Sequence, residues 1–239
     1  MLKSSIVLTL AILGLASCSP PAPISSPQDS TTDTAEGFPL NPGTYWVYKG
    51  TVKWLDGREK RESNVSWRME VGRVERVGRY EVSILEGHPE DLRFFVPGKP
   101  RAGHIIVKDG NKYYEIQSAT NPAALLSDES KIKEKLNSES LFLELPLQNG
   151  ACLGRDPDYK GDENMYCWSV GAPKPAMLDG VKGIPYGRSY LAYELAYRST
   201  PEHTFIRFVP GIGITSYIYG HHGALSEVDV QLIEYHPAR

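Results

Sequence analysis

From residue 44 onward, apolar and polar side chains alternate along the chain. Trp46, Tyr48, Val52 and Trp54 share one face, with Lys49, Thr51 and Lys53 between them. This period of two is that of a half-buried strand. Asp56-Gly57 predicts a turn. Val65, Trp67, Met69 and Val71 then alternate with Ser66, Arg68 and Glu70, and the phase slips at Gly72, which predicts a bulge. Gly78 leads into a strand carrying Tyr80, Val82 and Ile84. Short strands are expected over 92–96 and 104–107, and Asp109-Gly110 predicts a hairpin joining 105–107 to 113–116.

The pattern changes once. Asn121-Pro122 reads as an N-cap followed by proline at the first helical position. Leu125, Ile132 and Leu136 then recur at helical spacing, so a helix is expected over 122–137, with Ser127 as a candidate break in it. Alternation returns at Leu141, Leu143, Leu145 and Leu147, and continues through strands at 166–170, 191–197, 205–209, 214–219 and 228–235. The 205–209 run is apolar on both faces, as a central strand would be. Strands at roughly ten-residue spacing, with turn signals between them, predict a mainly β fold. One helix cannot cover a flat sheet of that width. The apolar face is covered if a single antiparallel sheet curls into a half-barrel or barrel, with the helix packed against it. An internal echo accompanies this pattern: Phe38-Pro39-Leu40-Asn41-Pro42-Gly43 is matched by Leu145-Pro146-Leu147-Gln148-Asn149-Gly150. Six residues leave chance and a duplicated β unit both open.

The amino-terminal end follows different rules. Lys3 precedes an apolar run over residues 6–15 that is interrupted only by Thr9 and Gly14. A run of that length is too short to cross a bilayer, which takes about 20 residues, and reads as a signal peptide. It ends in Leu15-Ala16-Ser17-Cys18, which resembles the lipobox of exported bacterial lipoproteins. The resemblance implies diacylation of the Cys18 thiol, cleavage before Cys18 and acylation of the new amino terminus. Ser19 after the cysteine is similar to lipoproteins sorted to the outer membrane in hosts with two membranes. A looser resemblance to bacterial lipoproteins with an all-β domain rests on the Pro-Leu-x-x-Gly motif, Pro210-Gly211-Ile212-Gly213 and His221-His222-Gly223. It carries no activity with it.

Three segments follow: a signal peptide over 1–17, a lipidated Cys18 with a Pro/Ser/Thr-rich tether to residue 37, and a globular domain over 38–239. The tether has four prolines and no aromatic residue or base over 19–36, too little apolar surface to offset ordering. Removing 1–17 takes away Lys3 and no acid, so 26 basic residues against 29 acidic ones become 25 against 29. A mildly acidic surface excludes an electrostatic grip on nucleic acid or anionic lipid, which leaves acyl chains as the membrane attachment. With Cys18 lipidated, Cys152 and Cys167 remain, and in an exported chain they are expected to form a disulfide.

Candidate chemistry is sparse, and no cofactor, metal or catalytic residue is expected. His221 and His222 are adjacent, so on a strand they point to opposite faces, and an exposed hairpin accounts for them. Asp156 and Asp158, with Gly161, partly match a calcium loop, but Lys160 stands at the fifth position and Cys167 at the twelfth. There is no Gly-x-Ser-x-Gly elbow, phosphate loop or Cys-x-x-Cys. Tyr48, Trp54, Trp67, Tyr193 and Tyr197 are the residues expected to line a ligand cavity, with core packing as their alternative.

These readings favour a lipid-anchored, non-catalytic binding module for an apolar molecule or an envelope protein. An envelope hydrolase with a carboxylate/His site and a structural lipoprotein are the alternatives. An aromatic cavity without convergent titratable groups would favour the first, a cleft pairing histidine with carboxylate the second, and a solid core with an exposed apolar patch the third.

Overall fold

The structure, a computed structural model, describes residues 37–116, 126–138, 140–162, 164–223 and 225–238. The signal peptide, Cys18, most of the tether, Asn121-Pro122 and Leu125 lie outside the described residues. No described helix is long and apolar enough to cross a membrane, which says nothing about strands.

In chain order the elements are β1 (Tyr45–Asp56), β2 (Glu59–Val77), β3 (Tyr80–Glu86), a 3₁₀ turn (Pro89–Phe94), β4 (Gly103–Asp109), β5 (Lys112–Ile116), α1 (Glu129–Lys135), β6 (Leu141–Glu144), β7 (Cys152–Leu153), β8 (Trp168–Val170), β9 (Lys174–Met177), β10 (Ser189–Arg198), β11 (Glu202–Val209), β12 (Gly213–His221) and β13 (Ser226–His236). They form one antiparallel sheet in the order β6-β5-β4-β3-β2-β1-β13-β12-β11-β10-β8-β7, with β9 paired to β10 off this path. Its two end strands, β6 and β7, are consecutive in the chain and lie against one another, so the sheet is a nearly closed barrel. The expectation of one curved sheet with a packed helix holds.

That order contains two up-and-down meanders of six strands, β1–β6 and then β7, β8 and β10–β13, joined where β1 pairs β13. The Pro-Leu-x-x-Gly echo opens each one, and the local hydrogen bonds repeat. Gly43 N–H donates to the Val71 carbonyl (2.8 Å) and Gly150 N–H to that of Val170 (2.8 Å). Thr44 N–H donates to Asn41 (3.0 Å) as Ala151 does to Gln148 (3.0 Å), and Val71 N–H returns to Thr44 (2.9 Å) as Val170 does to Ala151 (2.8 Å). Gly43 and Gly150 share a left-handed backbone, φ +86° and +81°, a conformation glycine adopts without steric cost. Gly50 serves the seam between the meanders: a Cβ there would lie 1.9 Å from the Asp229 carbonyl oxygen.

Bulges let the sheet curl. One falls at Gly72, where the phase slip predicted it, and another separates Val47 from Tyr48 against β13. The interior is filled by the inward side chains of both meanders, among them Trp46, Tyr48, Met69, Leu85, Phe142, Leu195, Phe208 and Val230. Two of its large buried side chains find partners across the barrel: the Trp46 indole donates to Ile212 O (2.6 Å) and the Tyr48 hydroxyl to Ile214 O (3.0 Å).

One local expectation needs correction. Residues 92–96 are not a strand. Pro89 starts a 3₁₀ turn, capped by His88, because proline's fixed φ and missing N–H suit a first turn. Of the helix expected over 122–137, residues 122–125 lie outside the described residues; among the described ones it runs Glu129–Lys135 after a break at Ser127 and Asp128, and Asp128 caps it by accepting from Ser130 N–H (2.9 Å). Ile132, with Leu126 and Leu136 beside it, packs on Tyr80, Val82, Ile105, Val107 and Ile116. Those side chains alternate with the inward ones on β3–β5, so α1 covers the outer face of the barrel and builds a second, smaller core there.

Candidate functional site

The connection between β3 and β4 shapes the interior site. Rather than turn tightly, residues 87–102 reach across to β12 and β13, and Ser226 Oγ donates to the Arg93 carbonyl (2.8 Å). Leu92 is buried in the main core and anchors the turn. This places His88, Glu90, Asp91 and Arg93 in the barrel, facing His104 on β4 and Glu115 on β5.

His104 lies between two carboxylates. Its Nε2 is 2.8 Å from Asp91 Oδ1, and its Nδ1 is 3.2 Å from Glu115 Oε1. The second oxygen of Asp91 accepts from Ala102 N–H (3.0 Å), which holds that carboxylate in place. Burial opposes a charge on His104, but the two carboxylate hydrogen bonds outweigh it and push its pKa up to about 10. His88 lies beside His104 with the rings tilted by 37° and their centroids 5.0 Å apart. Its Nδ1 accepts a long bond from Glu90 N–H (3.3 Å), and burial lowers its pKa to about 4. The two imidazoles therefore carry opposite protonation states at neutral pH.

Arg93 links this group to the second meander. It donates to Glu90 Oε1 (2.7 Å) and to Glu202 at the start of β11, and its guanidinium lies 4.4 Å above the Tyr219 ring. Burial works against the Arg93 charge, and Tyr217, Glu90 and Glu202 more than compensate, holding its pKa above the usual value. The Tyr219 hydroxyl donates to Glu202 Oε2 (2.8 Å). Tyr217, fully buried against Thr204, has no partner in hydrogen-bond geometry for its hydroxyl, and burial raises its pKa.

Two cavities adjoin at Glu90, Arg93 and Glu115, with volumes of about 470 Å³ and about 280 Å³. The larger has a polar wall of His88, Glu90, Arg93, Glu115, Glu202 and Tyr217 opposite an apolar one of Ile116, Phe142, Trp168, Tyr197 and Ile206. The smaller is reached by Asp91, His104, Trp67 and Phe95. Such concavities, with a few convergent polar groups on an apolar lining, are where small ligands bind.

Of the residues singled out from sequence, Tyr197 lines the larger cavity and Trp67 the smaller, where its indole donates to Gly87 O (2.9 Å). Tyr48 is core, Trp54 packs edge-on against Phe95 at 5.1 Å, and Tyr193 packs on the core without lining either cavity. His221 and His222 do not act as a pair. His222 faces His203, 3.4 Å away, and His221 Nδ1 accepts from Gly223 N–H (2.9 Å). The carboxylates of Asp156 and Asp162 accept from backbone N–H groups of Asp158 and Asn164 (2.8 and 2.9 Å) in local turns. Cys152 and Cys167 are joined in a disulfide, with Cα atoms 5.5 Å apart. His88, Asp91, His104 and Glu115 were not singled out, because no motif spacing joins residues from a 3₁₀ turn and two strands. The signal that was available is the presence of His104 and Glu115 on strands otherwise rich in Ile, Val and Tyr.

No protein-family model matches the chain, and no curated protein matches it. Two solved structures are similar: a protein from Bacteroides fragilis, described as exported and having a YmcC-like fold, and a protein from Parabacteroides distasonis, described as a lipoprotein. The first is 11% identical with a TM-score of 0.39, covering 84% of this chain and 98% of that one. The second is 11% identical with a TM-score of 0.41, covering 83% and 97%. Likeness at this level fixes no activity.

Proposed function

We propose that the protein is a lipid-anchored binding protein of the bacterial cell envelope, held by acyl chains on Cys18, with a small ligand seated in its barrel. The observation that carries the binding role is the pair of adjoining cavities around Arg93, lined on one side by buried titratable groups and on the other by aromatic and aliphatic side chains. A ligand with one polar and one apolar side fits that lining. The anchor rests on the lipobox-like Leu15-Ala16-Ser17-Cys18 and the tether that follows.

The cleft also pairs histidine with carboxylate, as a hydrolase would. Its geometry favours binding. Both ring nitrogens of His104 face carboxylates, so it has no free nitrogen to take a proton from a nucleophile. His88, with its pKa near 4, is a weak base.

Native mass spectrometry of protein purified from membranes tests the binding role. A bound small molecule is expected on the parent and absent from Ile206→Trp, which fills the larger cavity. A parent that is always empty, or an adduct unchanged in Ile206→Trp, would refute it. The anchor is tested separately: Cys18→Ala should leave the membrane fraction, and retention after a high-salt wash would overturn it.

A further inference from the structure

We infer that the barrel holds a divalent transition-metal ion of the Zn²⁺ class, ligated by His88, Glu90, His104 and Glu115 and supported by Asp91. The inference rests on reading this cavity as a ligand site and names what binds there.

Four kinds of observation converge on it. The first is convergence itself: each of the four side chains offers a donor atom, and these atoms all lie within 4.8 Å of one another. Among the described residues this is the group of three or more metal-capable side chains so placed. They come from the 3₁₀ turn and its cap, from β4 and from β5, so the fold and not local sequence assembles them. The separation between His104 Nδ1 and Glu115 Oε1, 3.2 Å, is close to the ligand-to-ligand edge of about 3.3 Å in a tetrahedron with bonds of about 2.0 Å.

The second is donor type. Two imidazoles and two carboxylates suit zinc or its neighbours in the first transition row. Calcium and magnesium prefer oxygen alone.

The third is the supporting shell. A metal-bound histidine commonly donates its other ring N–H to a carboxylate, which orients the ring. Asp91 stands at the far nitrogen of His104 in that role, 2.8 Å away, and is itself pinned by Ala102 N–H. With Asp91 on Nε2, Nδ1 is turned toward Glu115 and the centre of the group.

The fourth is charge and free valence. Glu90, Asp91, Glu115 and Glu202 place four carboxylates around half-buried Arg93 and protonated His104, with Lys135 and Lys99 exposed at the rims of the two cavities. A dication is the simplest complement to that excess. Glu90 engages Arg93 through Oε1, so its other oxygen can turn to an ion, while Glu115 already presents Oε1 beside His104 Nδ1. His88 makes one long hydrogen bond, from Glu90 N–H, that a metal on the ring displaces readily.

The test uses the full chain in detergent, stripped with a chelator and titrated with Zn²⁺ and Co²⁺. One equivalent of Zn²⁺ is expected to bind, and Co²⁺ should give the intense visible bands of a four- or five-coordinate site. His88→Gln and His104→Gln should each weaken binding by about 100-fold, and Asp91→Asn by about 10-fold. His222→Gln, outside the group, should bind as the parent does. Should a histidine variant fail to fold, the Co²⁺ spectrum of the parent decides: the weak bands of a six-coordinate, water-rich ion overturn the site. So does binding that survives both histidine variants, or that His222→Gln removes. If no metal binds while the Ile206→Trp-sensitive adduct persists, the metal assignment fails and the binding role stands.

Discussion

The two meanders of the barrel begin alike and differ in their connections, of which the one after the third strand matters most for the site. Both open on a Pro-Leu-x-x-Gly turn with the same hydrogen bonds, and both run through six neighbouring strands. After its third strand, the first meander inserts residues 87–102, which carry His88, Glu90, Asp91 and Arg93 into the interior. The second crosses the corresponding point, from β10 to β11, in residues 199–201. Its contribution there is Glu202 at the start of β11, which receives Arg93. Each meander is also stiffened in its own way. The first has α1 on its outer face, the second the Cys152–Cys167 disulfide beside its first two strands. The difference teaches that the repeated strands supply a scaffold and a few inward groups, His104, Glu115 and Glu202, while the 87–102 connection brings His88, Glu90, Asp91 and Arg93 to meet them. Loops held by a rigid sheet are where binding groups accumulate, because strands are committed to packing and pairing.

The largest expected effect falls on the outer cover of the first meander. Ile132 is fully buried, so Ile132→Asp should lower stability by about 4 kcal/mol, or prevent folding, through an unpaired buried carboxylate. Urea unfolding that matches the parent would show that α1 is peripheral to the fold.

Next comes the pH dependence that the inserted segment confers on the metal-free protein. His104 has its pKa raised from 6.5 to about 10, so its stabilisation is complete below about pH 6.5 and is lost as pH rises through 10. His88 has its pKa lowered from 6.5 to about 4, so its contribution is present above about pH 6.5 and lost as pH falls through 4. Denaturant titrations at stepped pH, with chelator present, should therefore show stability declining on both sides. His104→Gln should flatten the alkaline limb and His88→Gln the acid one. An alkaline limb unaltered in His104→Gln would place its cause elsewhere.

For the second meander, Cys152→Ser should lower stability by up to about 3 kcal/mol, because the bridge closes a loop of 15 sequence steps. The effect should vanish when parent and variant are compared under reducing conditions.

The smallest effect sharpens the likeness between the meanders. A Cβ at Gly43 or Gly150 would meet nothing within 4 Å, so only the left-handed backbone resists substitution. Gly43→Ala and Gly150→Ala should each cost about 1 kcal/mol, measured by thermal unfolding. Markedly unequal costs would mean that the two opening turns are alike in sequence alone.

What the sequence determined by itself is the sheet. Period-two alternation puts one face of each strand into the core whatever its neighbours are, so strand positions, the Gly72 bulge, the Asp109-Gly110 hairpin and the need to curl are local properties. The Cys152–Cys167 pairing also followed from the chain, on the reading that Cys18 belongs to a lipobox. Other features depended on partners distant in the chain. Leu92 and Phe94 read as strand because their alternation was visible, while the capping of Pro89's turn by His88 was not. Tyr48 and Tyr197 have equivalent patterns, yet one is core and the other lines a cavity. The difference lies in which residues stand opposite across the barrel. The site went unread for the same reason. His88, His104 and Glu115 are separated by whole elements, and a ligand set acts through distances in space. Only the closure of the sheet, with the 87–102 segment turned into it, brings those donors within reach of one ion.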